Sequence, residues 1–257
     1  MSEPILGILG GLGPMSGIYF CELLTAHTRA ERDQDHVHFL LSSRASTPDR
    51  TAHILGQNAQ SPLPAMAQEA KRLESAGASV LAIPCNTAHY FYDGIAQSVA
   101  IPVLNIIEQN AAYCRYLGLT TVGVLATEGT VRSGAYRDAL ASLGIAYVTC
   151  TDEEQALLSD LIYGQIKRGH KPDHALLTRL TESLYNKGCE RIILGCTELS
   201  LLCRTNTRDA RLIDSMEVLA AASLAHCGKD VIDFEPSLID FAKTQSTKRK
   251  ESYHAAL

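Results

Sequence analysis

The sequence lacks the features that mark a membrane protein or a nucleic-acid-binding protein. Tryptophan is absent, and no apolar run approaches the roughly 20 residues that a membrane-spanning helix needs. The formal net charge is -5 and the pI is ≈ 6.0, so no basic surface predicts a nucleic-acid partner. The start, MSEPILGILGG, carries an acid and lacks the basic flank and long apolar core of a signal peptide. We therefore expect a cytoplasmic protein that binds neither membranes nor nucleic acids.

Cysteine is frequent, but its spacing excludes several kinds of thiol site. The chain has 8 cysteines and no C-x-x-C pair, which gives little support to a zinc site or a thioredoxin-like redox site. A chain of this length without an export signal is expected to keep its thiols reduced. Most of these cysteines are predicted to be small core residues. Cys85 and Cys196 differ from the others because of their surroundings.

The composition is that of a folded protein, with 46% hydrophobic and 20% charged residues and a mean hydropathy of +0.00. Short apolar runs such as PILGIL and TVGVLA alternate with amphipathic helical segments along the 257 residues. Strands that alternate with helices indicate parallel sheets with crossover helices on both faces. The sequence therefore predicts the α/β class.

The chain also repeats itself once. Gly77 stands eight residues before Cys85, Gly188 stands eight residues before Cys196, and the segments between them are both strand-like. GILGGLG and GVLATEG likewise begin two similar units. A single duplication predicts two similar parallel-sheet lobes, related by a pseudo-two-fold, with an active site in the cleft between them. We expect residues 1–106 and 211–230 to form the first lobe, 107–210 the second, and 231–257 a C-terminal extension.

Two cysteines at matching places suggest proton transfer on two faces of one carbon. Cys85 and Cys196 each follow a strand and precede a helix, where the helix N-terminus favours a thiolate. One thiolate could remove a proton from one face while a thiol on the opposite lobe delivers another. Backbone N–H groups near Asn86, Thr87 and Thr197 would suit the charge that grows on a substrate carboxylate. The sequence thus predicts stereoinversion beside a carboxylate.

Five separated motifs, GILGGLGPMSG, STPDRT, IPCNTAH, ATEGT and GCTELSLL, resemble the aspartate/glutamate racemase family, and most closely its aspartate racemases. The resemblance covers residues from about 4 to about 220. It implies a racemase that needs no pyridoxal phosphate, other cofactor or metal, has two α/β lobes and forms a homodimer. Glutamate racemases of wall synthesis have Asp-Ser-Gly at the first turn and a His where this chain has Glu198, which makes a dedicated glutamate racemase less expected.

The resemblance also implies roles for individual residues. Cys85 and Cys196 would be the two acid/base groups, and Arg50 and Lys167 would hold substrate carboxylates. The full set of expected substrate contacts is Gly11, Met15, Arg50, Asn86, Thr87, Thr127, Lys167 and Thr197. Judged by position alone, Arg50 is expected to be a solvated surface charge, and Lys167 could equally be a basic residue that only complements the end of a helix.

Other functions remain open from the sequence. Gly11, Gly13 and Gly17 form a weak dinucleotide-binding pattern, but no acid follows the second strand to bind a ribose. His89 could tune the Cys85 thiol or be a structural histidine. The cleft could belong to an amino-acid-binding sensor protein, which needs no thiol pair, or to another carboxylic-acid isomerase. The choice between aspartate and glutamate depends on loop geometry that the sequence does not give.

Overall fold

The computed structural model describes residues 3–58, 60–203 and 209–254, and it contains two four-stranded parallel sheets. The first sheet has the order β2-β1-β3-β4 and the second has the order β6-β5-β7-β8. Relative to chain order, the strands are arranged identically in the two sheets. This arrangement confirms the predicted fold of two similar parallel α/β lobes.

The first lobe is built from four strands, five helices and two short 3₁₀ turns. In chain order its elements are β1 (Ile5–Gly10), α1 (Pro14–Ala26), a turn at Asp33–Asp35, β2 (His38–Ser43), α2 (Arg50–Ile54), α3 (Leu63–Ser75), β3 (Val80–Ala82), a turn at Thr87–Phe91, α4 (Tyr92–Ala96), β4 (Val103–Leu104) and α5 (Ile106–Tyr116).

The second half of the described chain repeats this plan. Its elements are β5 (Thr121–Ala126), α6 (Glu128–Ser133), α7 (Ala135–Ser142), β6 (Ala146–Thr149), α8 (Asp152–Ser159), a π-helical turn at Asp160–Gln165, a 3₁₀ turn at Ile166–Arg168, α9 (His174–Asn186), β7 (Arg191–Gly195), α10 (Thr197–Cys203), β8 (Leu212–Asp214), α11 (Ser215–His226) and α12 (Pro236–His254).

The central strands are buried on both faces. In β1 and β5 every residue after the first is buried, as expected for parallel strands that helices cover on both sides. One apolar cluster contains residues of both sheets, such as Ile8 of β1 and Val124 of β5, together with α11, which is buried along almost its whole length. The lobes therefore share a continuous core behind the cleft.

The structure differs from the sequence-based division at the end of the second lobe. Leu212–Asp214 pair with β7 in parallel and complete the second sheet, so this lobe extends beyond residue 210. The following helix α11 packs against α1, α5 and α12 and joins the two lobes. Within the described ranges, none of the helices combines the length and hydropathy that crossing a bilayer requires.

Candidate active site

Both cysteines of interest lie where a central strand ends. Cys85 follows β3 and precedes the 3₁₀ turn at Thr87–Phe91, and Cys196 lies between β7 and α10. β3 and β7 occupy equivalent places in the two sheets. The two side chains are buried and line one cavity between the lobes. The structure thus brings together the two residues that the duplication singled out.

The cavity is narrow and is lined mainly by polar side chains. Its volume is about 10 Å³, which is the room that one water molecule needs. Eight of the residues predicted for the site share its wall, and the structure adds several others. The lining residues are Leu12, Asp49, Arg50, Thr51, Cys85, Asn86, Thr87, Thr127, Tyr163, Lys167, Cys196, Thr197 and Glu198. An amino acid is much larger than a water molecule, so the walls must move apart to admit one.

Arg50 is buried and holds the loop before it. Its guanidinium donates to the carbonyls of Thr47 (3.3 Å), Pro48 (3.0 Å) and Leu12 (2.6 Å). The Nε atom is buried with no described partner. The Leu12 carbonyl also accepts a hydrogen bond from the Cys85 thiol at 3.6 Å. Arg50 is therefore not a solvated surface charge, and one of its N–H groups has no acceptor among the described residues.

Lys167 and Glu198 form an ion pair at the wall of the cavity. Lys167 Nζ lies 2.7 Å from Oε1 of Glu198 and 5.5 Å from the centre of the Tyr163 ring. The Cys196 thiol donates to the other oxygen of Glu198, Oε2, at 3.1 Å. Burial is the largest single effect and opposes the charge on Lys167, but the charge and hydrogen bond of Glu198, with smaller contributions from Cys196 and Cys85, together outweigh it, so the pKa of Lys167 is above its usual value. The ammonium is therefore firmly charged.

The protonation state of Cys196 differs from the expectation of a thiolate. Burial, and after it the negative charge of Glu198, raise the pKa of the Cys196 thiol well above its usual range, which Lys167 offsets only in part. The partial charge of the α10 N-terminus does not overcome these two effects. In this closed conformation Cys196 is a thiol.

Asn86 links the lobes through both ends of its side chain. Its Nδ2 donates to Ser215 Oγ at 3.1 Å, and its Oδ1 accepts from the Tyr136 hydroxyl at 2.7 Å. Ser215 Oγ in turn donates to the Leu194 carbonyl, two residues before Cys196. Asn86, which is predicted to contact the substrate, lines the cavity and in this structure joins the two thiol-bearing segments.

Three hydroxyl groups form a second link between the lobes. Thr87 Oγ1 lies 2.8 Å from that of Thr127 and 2.9 Å from that of Thr130, and the latter two are 3.0 Å apart. Thr127 also caps α6 by accepting from the Thr130 N–H. Tyr163 adds a third link, since its hydroxyl donates to Thr51 Oγ1 at 2.7 Å.

Two predicted contacts do not lie in the cavity wall. Met15 is 55% exposed on α1. Gly11 has a φ of +80°, and a Cβ there would collide with the backbone of Arg44, so this glycine is required for close packing of two loops. A Cβ at Gly13 would collide with Oε1 of Glu198. Close packing therefore explains Gly11 and Gly13, and a bound dinucleotide is not needed to account for them.

His89 is structural. Its Nε2 accepts from the Ile106 N–H at 3.1 Å, so its Nδ1 carries the proton and donates to the Cys85 carbonyl at 2.9 Å. Burial lowers the pKa of His89 to about 4. The neutral ring fixes the backbone of Cys85 rather than exchanging protons with its thiol.

Sequence reasoning missed Thr130, Tyr163 and the Leu12 carbonyl, and it noted Glu198 only as a departure from a motif. Tyr163 lies in the π-helical turn. Because this turn does not follow α-helical periodicity, the sequence pattern does not show that Tyr163 faces the cavity. Among the described residues, no group of three His, Cys, Asp or Glu side chains could hold a metal ion.

Comparison with known proteins gives a consistent result. The family described as Asp/Glu/Hydantoin racemase matches residues 9–223. The broad specificity amino-acid racemase RacX of Bacillus subtilis is 29% identical over 227 residues, 86% of this chain and 97% of that protein. The structure of Picrophilus torridus aspartate racemase is 32% identical, with a TM-score of 0.77, over 89% of this chain and 96% of that one. A glutamate racemase of Lysinibacillus sphaericus is 30% identical over 72% of this chain and 71% of its own length.

Proposed function

The chain belongs to the Asp/Glu/Hydantoin racemase family, and we propose that it racemises aspartate, or glutamate, with Cys85 and Cys196 as two proton-transfer groups and without pyridoxal phosphate or a metal. The observation that carries this proposal is the position of the two buried thiols on one cavity wall, at equivalent strand ends of two similar lobes. A binding protein has no need of a thiol pair, so this arrangement favours catalysis over an amino-acid sensor.

The reaction uses the thiols in sequence. A Cys196 thiolate removes the α-proton of the L-enantiomer, and the Cys85 thiol protonates the opposite face of the resulting carbanion. The roles reverse for the D-enantiomer. Charge that grows on the substrate carboxylate is stabilised by backbone N–H groups around Thr87 and Thr197. The protein therefore needs only two sulfur atoms, held on opposite sides of Cα, to invert the centre.

The cations of the site favour a substrate with two carboxylates. Arg50 and Lys167 both line the cavity and are both buried to a large extent. Each can accept a carboxylate once the cavity opens, with Arg50 offering its unused Nε–H and Lys167 exchanging Glu198 for substrate. The resemblance to Picrophilus torridus aspartate racemase makes aspartate the first substrate to test. The enzyme is proposed to be a cytoplasmic homodimer.

A broad specificity racemase is the second candidate, and its supporting observation is the similarity to RacX over 86% of the chain. One experiment separates the candidates. The purified protein is incubated in deuterated buffer with the L- and D-forms of aspartate, glutamate and several neutral amino acids, and α-proton exchange is read by NMR. Exchange with inversion for aspartate or glutamate alone supports the acidic-substrate proposal, and equal exchange for neutral amino acids supports the broad one. Binding of an amino acid without any exchange would refute racemisation.

A further inference from the structure

Glu198 is a buried carboxylate whose described partners both belong to the proposed reaction site. Its side chain is 7% exposed. One oxygen accepts from the Cys196 thiol and the other faces the Lys167 ammonium. Gly13, on the opposite lobe, leaves the space that this second oxygen fills. A carboxylate buried in this way costs free energy unless its charge is compensated, and here Lys167 compensates it.

Cys196 needs a proton acceptor before it can act as a base. It is a thiol in this conformation, and its described hydrogen bond leads to Glu198 Oε2 at 3.1 Å. The adjacent carboxylate is the group positioned to take the proton. While Lys167 neutralises Glu198, this transfer is unfavourable, because it would place a thiolate in the buried site and leave the ammonium without its carboxylate.

A substrate carboxylate changes this balance. A substrate carboxylate competes with Glu198 for the Lys167 ammonium, so a substrate that binds Lys167 weakens its pairing with Glu198. The negative charge of Glu198 is then uncompensated in a buried site, which favours its protonation. The nearest proton is that of Cys196. Binding of the substrate would thereby create the base that attacks it.

We propose that Glu198 is a positioning residue that accepts the Cys196 thiol proton when the substrate carboxylate takes Lys167, so that the thiolate forms only in an occupied site. This inference rests on the proposed racemase function and adds a trigger to it. The trigger keeps a reactive thiolate from forming while the cavity is closed.

Water is the only additional proton donor or acceptor that the complete reaction cycle needs. The Cys196 S–H bond breaks and a Glu198 O–H bond forms, then the thiolate takes the α-proton and Cys85 gives its own proton to the opposite face. Cys196 is then a thiol, Cys85 a thiolate and Glu198 a carboxylic acid. After product leaves, Lys167 returns, Glu198 releases its proton to water, and Cys85 regains one from water.

The first test uses the parent protein and a ligand without an α-proton. We expect α-methyl-aspartate, or α-methyl-glutamate if glutamate is the substrate, to produce the infrared band of a protonated carboxylic acid and to remove an S–H band. Both changes should be absent in Glu198→Gln, and the carboxylic-acid band should shift in Glu198→Asp. Saturating binding that produces neither change would overturn the inference, even if every variant failed to fold.

The second test separates a specific role from general damage. Glu198→Gln should lower kcat roughly 10²-fold and also lower KM, because Lys167 then has no competing carboxylate. Glu198→Asp should restore part of kcat. The matched control is Glu154→Gln, which removes another carboxylate paired with a lysine, Lys187, at 2.8 Å in the same lobe but outside the cavity. This control should leave kcat and KM at parent values.

The two failures can be told apart. A parent that exchanges no α-proton of any amino acid overturns both the function and the trigger. An active parent, with Glu198→Gln at or above the parent kcat, overturns the trigger and leaves two-thiol racemisation standing. A lower kcat with a raised KM in both Glu198 variants would also overturn it, since a distorted site gives that result.

Discussion

Arg50 and Cys85 donate to the same acceptor, the carbonyl oxygen of Leu12, at 2.6 Å and 3.6 Å. Leu12 lies in the first turn, so one backbone atom sets the position of both a candidate carboxylate-binding cation and a candidate acid/base. Any change in the loop before Arg50 should therefore also shift the position of the Cys85 thiol. This coupling gives the first prediction.

Arg50→Ala should reduce both activity and stability. The loss of a carboxylate-binding group is expected to lower kcat/KM by an amount worth about 2–4 kcal/mol, and three carbonyl acceptors lose their donor, at about 1–3 kcal/mol of unfolding free energy. Arg50→Lys should not rescue either quantity, because an ammonium cannot reproduce the planar fork. Steady-state kinetics and urea unfolding measure the two effects.

The control for Arg50 is Arg72→Ala. Arg72 is a largely exposed arginine that pairs with Glu69 outside the cavity. The Arg72→Ala variant should retain the parent kcat/KM. Parent kinetics in Arg50→Ala would show that this residue only holds its loop.

Each thiol should serve one enantiomer as base. Cys85→Ser should abolish net racemisation, yet let Cys196 exchange the α-proton of the L-substrate for deuterium with retention. Cys196→Ser should do the same for the D-substrate through Cys85. Proton NMR combined with chiral chromatography separates exchange from inversion. Two serine variants that racemise at the parent rate would rule out two-thiol catalysis.

Cys114→Ala is the matched cysteine control. Cys114 is fully buried in the core and does not line the cavity. Its replacement should cost about 1–3 kcal/mol of stability and leave the exchange pattern unchanged.

The hydrogen bond from Tyr136 to Asn86 should matter for both stability and catalysis. Tyr136→Phe leaves Asn86 Oδ1 buried without its donor, which is expected to cost about 1–3 kcal/mol. A double-mutant cycle with Asn86→Ala should show a coupling energy of roughly 0.5–3 kcal/mol. Tyr113→Phe loses a partly buried hydrogen bond to Ser237 outside the cavity, and it should lower stability without changing catalysis. Additive free energies in the Asn86 cycle would contradict the link.

Acid should destabilise the protein through His89. Burial lowers the pKa of His89 from its usual 6.5 to about 4. Between these pH values the unfolded chain binds a proton that the folded chain excludes, so the free energy of unfolding falls as the pH drops from 6.5 to 4. The full loss is roughly 3 kcal/mol, at about 1.36 kcal/mol per unit. His89→Gln should flatten this part of the pH profile in urea unfolding, and an unchanged slope would contradict the assignment.

Much of the site followed from local sequence signals. Cys85, Cys196, Thr87 and Thr197 stand at strand-to-helix junctions, and the carboxyl ends of parallel strands meet at one edge of a sheet. The duplication then predicted that the two edges face one cleft. Arg50 and Lys167 needed the resemblance, because nothing in their local sequence distinguishes a buried cation from a solvated one.

The remaining features depend on contacts between distant parts of the chain. The hydrogen-bond partners of Asn86 lie 50 and 129 residues away along the chain. The local sequence around Asn86 would look the same whether its amide were free to bind substrate or bonded to the other lobe. The strands β4 and β8 have only two and three residues, too few to show a period. Gly11 and Met15 both belong to a motif of the family. The loop that contains Arg44 determines the backbone conformation of Gly11, and the position of Met15 on α1 leaves its side chain exposed.

The small cavity also determines how the protein should respond to oxidants and alkylating reagents. A reagent larger than water can reach Cys85 or Cys196 only in molecules in which the lobes have parted, so labelling of these thiols measures the fraction of open molecules. Cys21 and Cys150 are partly accessible at the surface, yet burial raises their pKa values to about 11 and about 12, which leaves them poor nucleophiles. We therefore expect the protein to be slow to oxidise, although it is rich in cysteine.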